Sequence, residues 1–230
     1  MMRVELEPAY VMHTRPYRET SMIVYALTEQ HGVVHMVSRG ARKKGNNNLQ
    51  PFTRMYLSWS GRGDLMSLTK IEHEHSRYTN NFRAQVQCFY LHELILKLIP
   101  KLSPAPELFD LYESTLNSMI NNPSNEYVLR NFELRLLAIM GHPLQLGYDY
   151  INDEVIQNQL LYRYDPDFGP TKIKGKQTQW NVVTGRLLAD LEQGDLTDES
   201  LPQAKIFLRG IVKHYLQGKP LMTRRLLKVN

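Results

Sequence analysis

The chain has 230 residues, 42% of them hydrophobic and 22% charged, the balance of a folded protein with room for one elongated domain or two modest ones. No run approaches the ~20 apolar residues of a membrane-spanning helix, the opening Met1-Met2-Arg3-Val4-Glu5 has no signal core, and the single cysteine, Cys88, excludes an internal disulfide and any multi-cysteine zinc site. The net charge of +5 is sorted along the chain: residues 1–75 carry ten Lys and Arg against seven Asp and Glu, 76–200 carry eleven against sixteen, and 201–230 carry seven against none. Two basic ends flanking an acidic middle point to a polyanionic partner in the cytoplasm.

The first 75 residues read as short strands. Val4–His13 mixes apolar and polar residues, Met22–Leu27 is a short apolar run, and Val33–Val37 follows a His31-Gly32 turn. Pro51–Trp59 alternates, placing Met55, Leu57 and Trp59 on one face. Gly61-Arg62-Gly63-Asp64 supplies hairpin chemistry before a return strand over Leu65–Ile71. Five short strands in so little chain gain by closing on themselves, so an OB-type barrel over residues 1–77 is expected. Beyond Arg77 the period changes to about 3.6. Phe82, Val86, Phe89/Tyr90, Leu94 and Leu98 form one stripe, a second helix starts near Pro106, and Leu129, Phe132, Leu136 and Met140 form the next stripe. Between about 144 and 182 the pattern fails and a loop with a small hairpin is expected; helical signals return at Thr184–Glu192 and Pro202–Leu216. The predicted fold class is α+β: an N-terminal OB-fold β-barrel, then an α-helical domain over 78–230 carrying an irregular insert.

A search for catalytic chemistry finds nothing. Gly40-Ala-Arg-Lys-Lys-Gly45 has the outer spacing of a phosphate loop, but Asn46-Asn47-Asn48 stand where Lys and Ser/Thr are required. His73-Glu74-His75 offers two imidazoles, with His92 only a guessed third, which is short of a zinc site. Asp165 and Asp167 sit among Pro166 and Gly169 and read as turn formers, and Cys88 reads as a buried thiol. No enzyme activity, cofactor or metal is expected.

Binding is better supported. Arg39, Arg42, Lys43 and Lys44 cluster in a Gly- and Asn-rich loop between two strands, placed to follow a phosphodiester backbone. Tyr10, Tyr17, Tyr25, Phe52, Tyr56 and Trp59 interleave with basic residues; some can stack bases, although for each one core packing competes, and the alternation sends Trp59 to the core. Lys205, Arg209 and Lys213 step by four and form a cationic ridge opposite Phe207/Ile211.

The motifs also match a family in order. His13-Thr-Arg15-Pro16-Tyr-Arg-Glu19-Thr20-Ser21, Gly32 with Ser38-Arg39-Gly40-Ala41-Arg42, Leu49-Gln50-Pro51-Phe52 and Gly61-Arg62-Gly63 with Leu68 are followed by Arg130-Asn-Phe132-Glu133-Leu134, Tyr162-Arg163-Tyr164 and Gly218-Lys219-Pro220-Leu221 with Arg224. Across essentially its whole length the chain resembles the RecO family of bacterial recombination mediators. The resemblance implies binding of single- and double-stranded DNA, annealing of complementary strands, and help in loading the RecA recombinase onto DNA coated with single-stranded-DNA-binding protein. It implies RecR and the acidic, phenylalanine-ending tail of the single-stranded-DNA-binding protein as partners. Many relatives carry a four-cysteine zinc module in the region of residues 144–168, and this chain has no cysteine there. On this reading the Arg39–Lys44 loop, with Arg15, Arg54 and Arg62 outlying, holds phosphates. A pocket in the helical domain takes the terminal Phe beside Phe132, with Arg130 as the first candidate to receive its carboxylate and Arg135 and the Lys205/Arg209/Lys213 ridge as alternatives. Arg130 is equally placed to pair with Glu126 or Glu133. An RNA-binding OB protein, an adaptor for acidic peptides and an enzyme are the rival readings.

Overall fold

The computed structural model describes residues 2–43, 49–74, 81–123, 125–175 and 177–223. By compactness the chain divides into two units, one of Met1–Ser124 with Leu221–Asn230 and one of Asn125–Pro220.

In the first unit five strands close a barrel: β1 (Met2–Tyr17), β2 (Ser21–Thr28), β3 (Gly32–Ser38), β4 (Arg54–Gly61) and β5 (Met66–His73), in the order β1-β2-β3-β5-β4. All pairs are antiparallel except β3 with β5. This is the OB-fold topology. Period-two alternation fills the interior with Val24, Ala26, Val34, Met36, Met55, Leu57 and Trp59, none more than a trace exposed. The first strand is longer than the sequence suggests because it bends twice, with register shifts between Val4 and Glu7 and between Val11 and His13. Bulges let one long strand serve two neighbours in a small barrel.

Two helices, α1 (Phe82–Leu98) and α2 (Pro106–Asn121), pack with the barrel in this unit, although the switch from strand to helix falls where the sequence places it. Asn81 caps α1 by accepting the Ala84 N–H at 3.0 Å, and Pro106 opens α2. The buried face of α1 runs through Ala84, Val86, Cys88, Tyr90, Leu91, Leu94 and Ile95; Val86, Tyr90 and Leu94 of the expected stripe lie on it, whereas Phe82 and Phe89 are exposed. Burial pushes the Cys88 thiol up to about 12. Glu93 on the same helix accepts N–H bonds from Met222 and Thr223 at 2.7 and 3.0 Å, tying that stretch of chain to α1.

His92 ties barrel to helices. The bulge leaves Met12 without a ladder partner on β2, and its carbonyl accepts the His92 Nδ1–H at 2.9 Å. A carbonyl only accepts, so Nε2 carries the lone pair and receives the Tyr112 hydroxyl at 2.6 Å. His92 is thereby used up and is not a third metal ligand; His75 lies outside the described residues. Burial pushes the His92 pKa down to about 3, below the 6.5 of a free imidazole. Below pH 6.5 the unfolded chain takes up a proton that the folded chain refuses, so stability falls with pH by about 1.4 kcal/mol per unit from this group. Urea unfolding of the wild type between pH 7 and pH 5 should show a loss on the order of 2 kcal/mol beyond that of His92→Gln; equal losses would contradict the account.

The second unit holds α3 (Glu126–Ile139), β6 (Tyr148–Asp149), β7 (Glu154–Val155), β8 (Leu161–Asp165), β9 (Gly169–Lys172), β10 (Val182–Thr184), α4 (Gly185–Gln193) and α5 (Leu201–Tyr215). Its core joins Leu137, Tyr162, Tyr164, Leu187, Leu188, Phe207, Leu208 and Ile211. The insert is more ordered than its sequence suggests: β8 pairs with β10 as well as β9, and a second pair, β6-β7, precedes them. Asp165 serves as a turn former, its Oδ1 accepting the N–H groups of Asp167 and Phe168. Buried Asp149 links the two sheets. Its Oδ1 accepts from the N–H groups of Ile151 and Asn152 at 2.9 and 3.0 Å; its Oδ2 accepts from Asn152 Nδ2 and the Lys172 N–H at 3.0 and 2.8 Å. Burial raises its pKa, but these bonds together outweigh that and hold the carboxyl below its ordinary value. A carboxylate with its hydrogen-bonding capacity filled thus braces the insert.

Candidate nucleic-acid interface

The bulge at Met12 sets the register of the barrel's outer face. Beyond it His13 stands opposite Tyr25, and Tyr25 stands opposite His35, giving one ring on each of β1, β2 and β3. The Tyr25 ring lies edge-on to His35 at 4.3 Å between centroids and tilted to His13 at 5.5 Å. Tyr25 and His35 are half-buried and His13 is exposed, so this row of rings faces solvent.

Cations border the row. Exposed Arg15, two residues along β1 from His13, reaches over the Tyr25 ring with its guanidinium carbon 5.8 Å from the centroid. Burial lowers the His35 pKa below its ordinary value, and the charges of Lys101 and Arg15 lower it further, so the imidazole is the neutral member of a cationic neighbourhood. At one end of the sheet the Arg39–Lys43 loop folds onto the β1–β2 turn. The Arg42 N–H bonds the Thr20 carbonyl at 3.0 Å, Arg42 Nη1 bonds the Arg18 carbonyl at 3.1 Å, and Gly40 at φ 71 allows the Lys43 N–H to close back on its carbonyl. Arg39, Arg42 and Lys43 are exposed along this loop, and Arg18 is exposed in the turn with its guanidinium 5.2 Å from the Tyr17 ring. Arg62 is exposed in the β4–β5 hairpin, while Lys44 lies outside the described residues.

Arg54 does not belong with these cations. Its side chain meets Glu113 at 3.0 Å and Glu74 at 3.3 Å, so two carboxylates already neutralise it. Tyr10 is buried against Phe109 and Tyr112, and Phe52 against Phe89 and His92; they are core, as is Trp59. Of the interleaved aromatics, Tyr25 alone sits in the ring row. Sequence reading missed His13, Arg18, His35 and Lys101; the strand spacing of His13 from Arg15 was the available signal, but it needed the bulge to be interpreted.

The second unit has a groove of about 620 Å³ along α3, lined by Val128, Leu134, Leu144, Leu146, Leu191 and Leu196, with Arg135 and Glu192 among its polar lining. Arg135 is exposed. Arg130 and Phe132 are elsewhere: both are fully buried, and Arg130 Nη1 lies 2.9 Å from Glu133 Oε2 inside the unit. The structure therefore corrects the peptide-contact expectation for this pair, because a side chain sealed in the core cannot meet a ligand. Lys205 is likewise engaged, both Glu126 carboxylate oxygens lying within 2.9 Å of its Nζ, so the ridge is an α3–α5 tie at its first step. Arg209 is half-buried and also engaged, and Lys213 is exposed.

Residues 2–77 match the family model described as Recombination protein O N terminal, and residues 80–225 match Recombination protein O C terminal. The chain is 38% identical over 231 residues to the DNA repair protein RecO of Nitrosococcus oceani, covering 99% of this chain and 94% of that protein. It is 34% identical to the DNA repair protein RecO of Nitrosospira multiformis, with 98% and 96% covered, and 35% identical to that of Methylococcus capsulatus, with 98% and 94% covered.

Proposed function

Since this chain belongs to the RecO family, whose members are DNA repair proteins, we propose that it is a DNA repair and recombination mediator that holds single-stranded DNA on the barrel's outer face. The observation that carries the reading is the row His13, Tyr25, His35 bordered by Arg15, Lys101 and the Arg39–Lys43 loop. Flat rings stack on unpaired bases and the cations neutralise the phosphates between them, which favours a single strand over a duplex with its bases hidden. Held in this way by two copies or two sites, complementary strands anneal without any bond being made or broken, and loading of RecA onto coated DNA follows from the same grip. Double-stranded DNA binds through the phosphate contacts alone.

The α3 groove is the proposed seat of the acidic tail of the single-stranded-DNA-binding protein: its leucines take the terminal phenyl ring and Arg135 receives the carboxylate. Arg135 thus takes the role the sequence offered first to Arg130. RecR is the further partner this reading carries. Two experiments bear on it. Annealing of complementary oligonucleotides coated with single-stranded-DNA-binding protein should proceed with the wild type; its failure would contradict the function. Binding of a fluorescent acidic peptide ending in Phe should weaken at least 10-fold in Arg135→Glu, as expected for reversing a charge-assisted contact. An unchanged affinity would move the peptide elsewhere.

A further inference from the structure

The insert carries an unpartnered apolar face. Tyr148 and Val155 are cross-strand neighbours on β6 and β7, exposed by 60% and 64%. Asp149, between Tyr148 and Tyr150, is turned into the interior, while both its neighbours are more than half exposed. Tyr150 then stacks on Phe168 with ring centroids 5.3 Å apart and planes 20° from parallel, and Phe168 is held there by the turn on Asp165. Ile151 follows Tyr150 in sequence, and all five side chains are more than half exposed. Large apolar groups gathered this way mark an interaction surface.

The charge around it says what fits. Asp153, Glu154, Asp165 and Asp167 are exposed about the face, against Arg163, which is bonded to the Gln177 side-chain oxygen at 2.6 Å, and the exposed Lys172 and Lys174 on and just after β9. Carboxylates outnumber cations here, which favours a cationic partner over the phosphates of the DNA proposed for the barrel. We propose that the Tyr148–Val155 and Tyr150–Phe168 face is a docking site for a partner protein whose contacting segment sets Lys or Arg residues around apolar side chains. The aromatic pair supplies rigid contact area at its centre and the carboxylates form a rim that selects the partner's sign. The site is independent of the nucleic-acid reading, since none of its residues belongs to the barrel.

The test uses the full chain and fluorescence anisotropy with three labelled probes in separate titrations: an amphipathic peptide alternating Lys with Leu and Phe, the same peptide with Glu for every Lys, and a thymidine oligonucleotide. The basic peptide should bind, and its Kd should rise at least 10-fold in Tyr150→Ser/Phe168→Ser. Because those two rings are exposed, circular dichroism should be unchanged; should the double variant unfold, Asp153→Asn/Glu154→Gln, which removes two surface charges and keeps at 153 a residue that accepts its φ of 53, should still raise the Kd at least 3-fold. The acidic peptide should not bind, and the oligonucleotide should bind the double variant as tightly as it binds the wild type. Equal binding of both peptides, an oligonucleotide affinity that falls in the double variant, or peptide affinities unchanged in the folded variants would overturn the proposal.

Discussion

Replacing Arg39, Arg42 and Lys43 together by alanine is expected to weaken binding of a thymidine oligonucleotide about 100-fold at 0.1 M salt, without lowering stability. Each single-strand phosphate contact contributes roughly 0.7 to the slope of log affinity against log salt, so losing three removes about two from that slope. The loop is exposed, and its backbone bonds to Thr20 and Gly40 do not need the side chains, so its course survives. Among the described residues the side-chain bond that is lost is that of Arg42 Nη1 to Arg18, and it is solvent-exposed. A slope unchanged from wild type would place the phosphates elsewhere.

Arg130→Met is expected to destabilise the second unit by about 3 kcal/mol, because it removes the cation that lies 2.9 Å from the fully buried Glu133 carboxylate. Arg135→Met, on the exposed side of the same helix, should change stability by less than about 0.5 kcal/mol. Urea denaturation separates them. The contrast matters for interpreting peptide binding: a loss in Arg130→Met reports a damaged fold, whereas a loss in Arg135→Glu reports the groove. Equal stability of the two variants would contradict the buried pair.

Much of this molecule was legible in its periodicity. Alternation over Met55, Leu57 and Trp59 gave a strand with the right residues inward, and Pro106, Asn81 and Thr184 mark helix starts by chemistry that is local in sequence. Less legible was whatever depends on distant partners. Arg54 reads as a free cation until Glu113, 59 residues away, is brought beside it. Phe82 and Phe89 read as core because two apolar stripes fit one helix, and only packing chooses between them. Arg130 had two readings with the same spacing, and burial decided for the pair with Glu133. The barrel's aromatic row was hidden by one extra residue: without the bulge at Met12, alternation puts His13 and Arg15 on the wrong face relative to Val11. Asp149 stood unremarked because a carboxylate that accepts four hydrogen bonds has no sequence signature beyond its turn.

The salt dependence of oligothymidylate affinity, measured for the wild type and Tyr25→Leu, reaches the core of this account. Leucine keeps apolar bulk between His13 and His35 and removes the flat ring. The account requires two parallel lines on a double-logarithmic plot, with the variant weaker by about 1–3 kcal/mol, roughly 5- to 150-fold, at every salt concentration. Coincident lines would mean that no base rests on this face, and a wild type indifferent to the oligonucleotide at low ionic strength would refute the nucleic-acid site altogether.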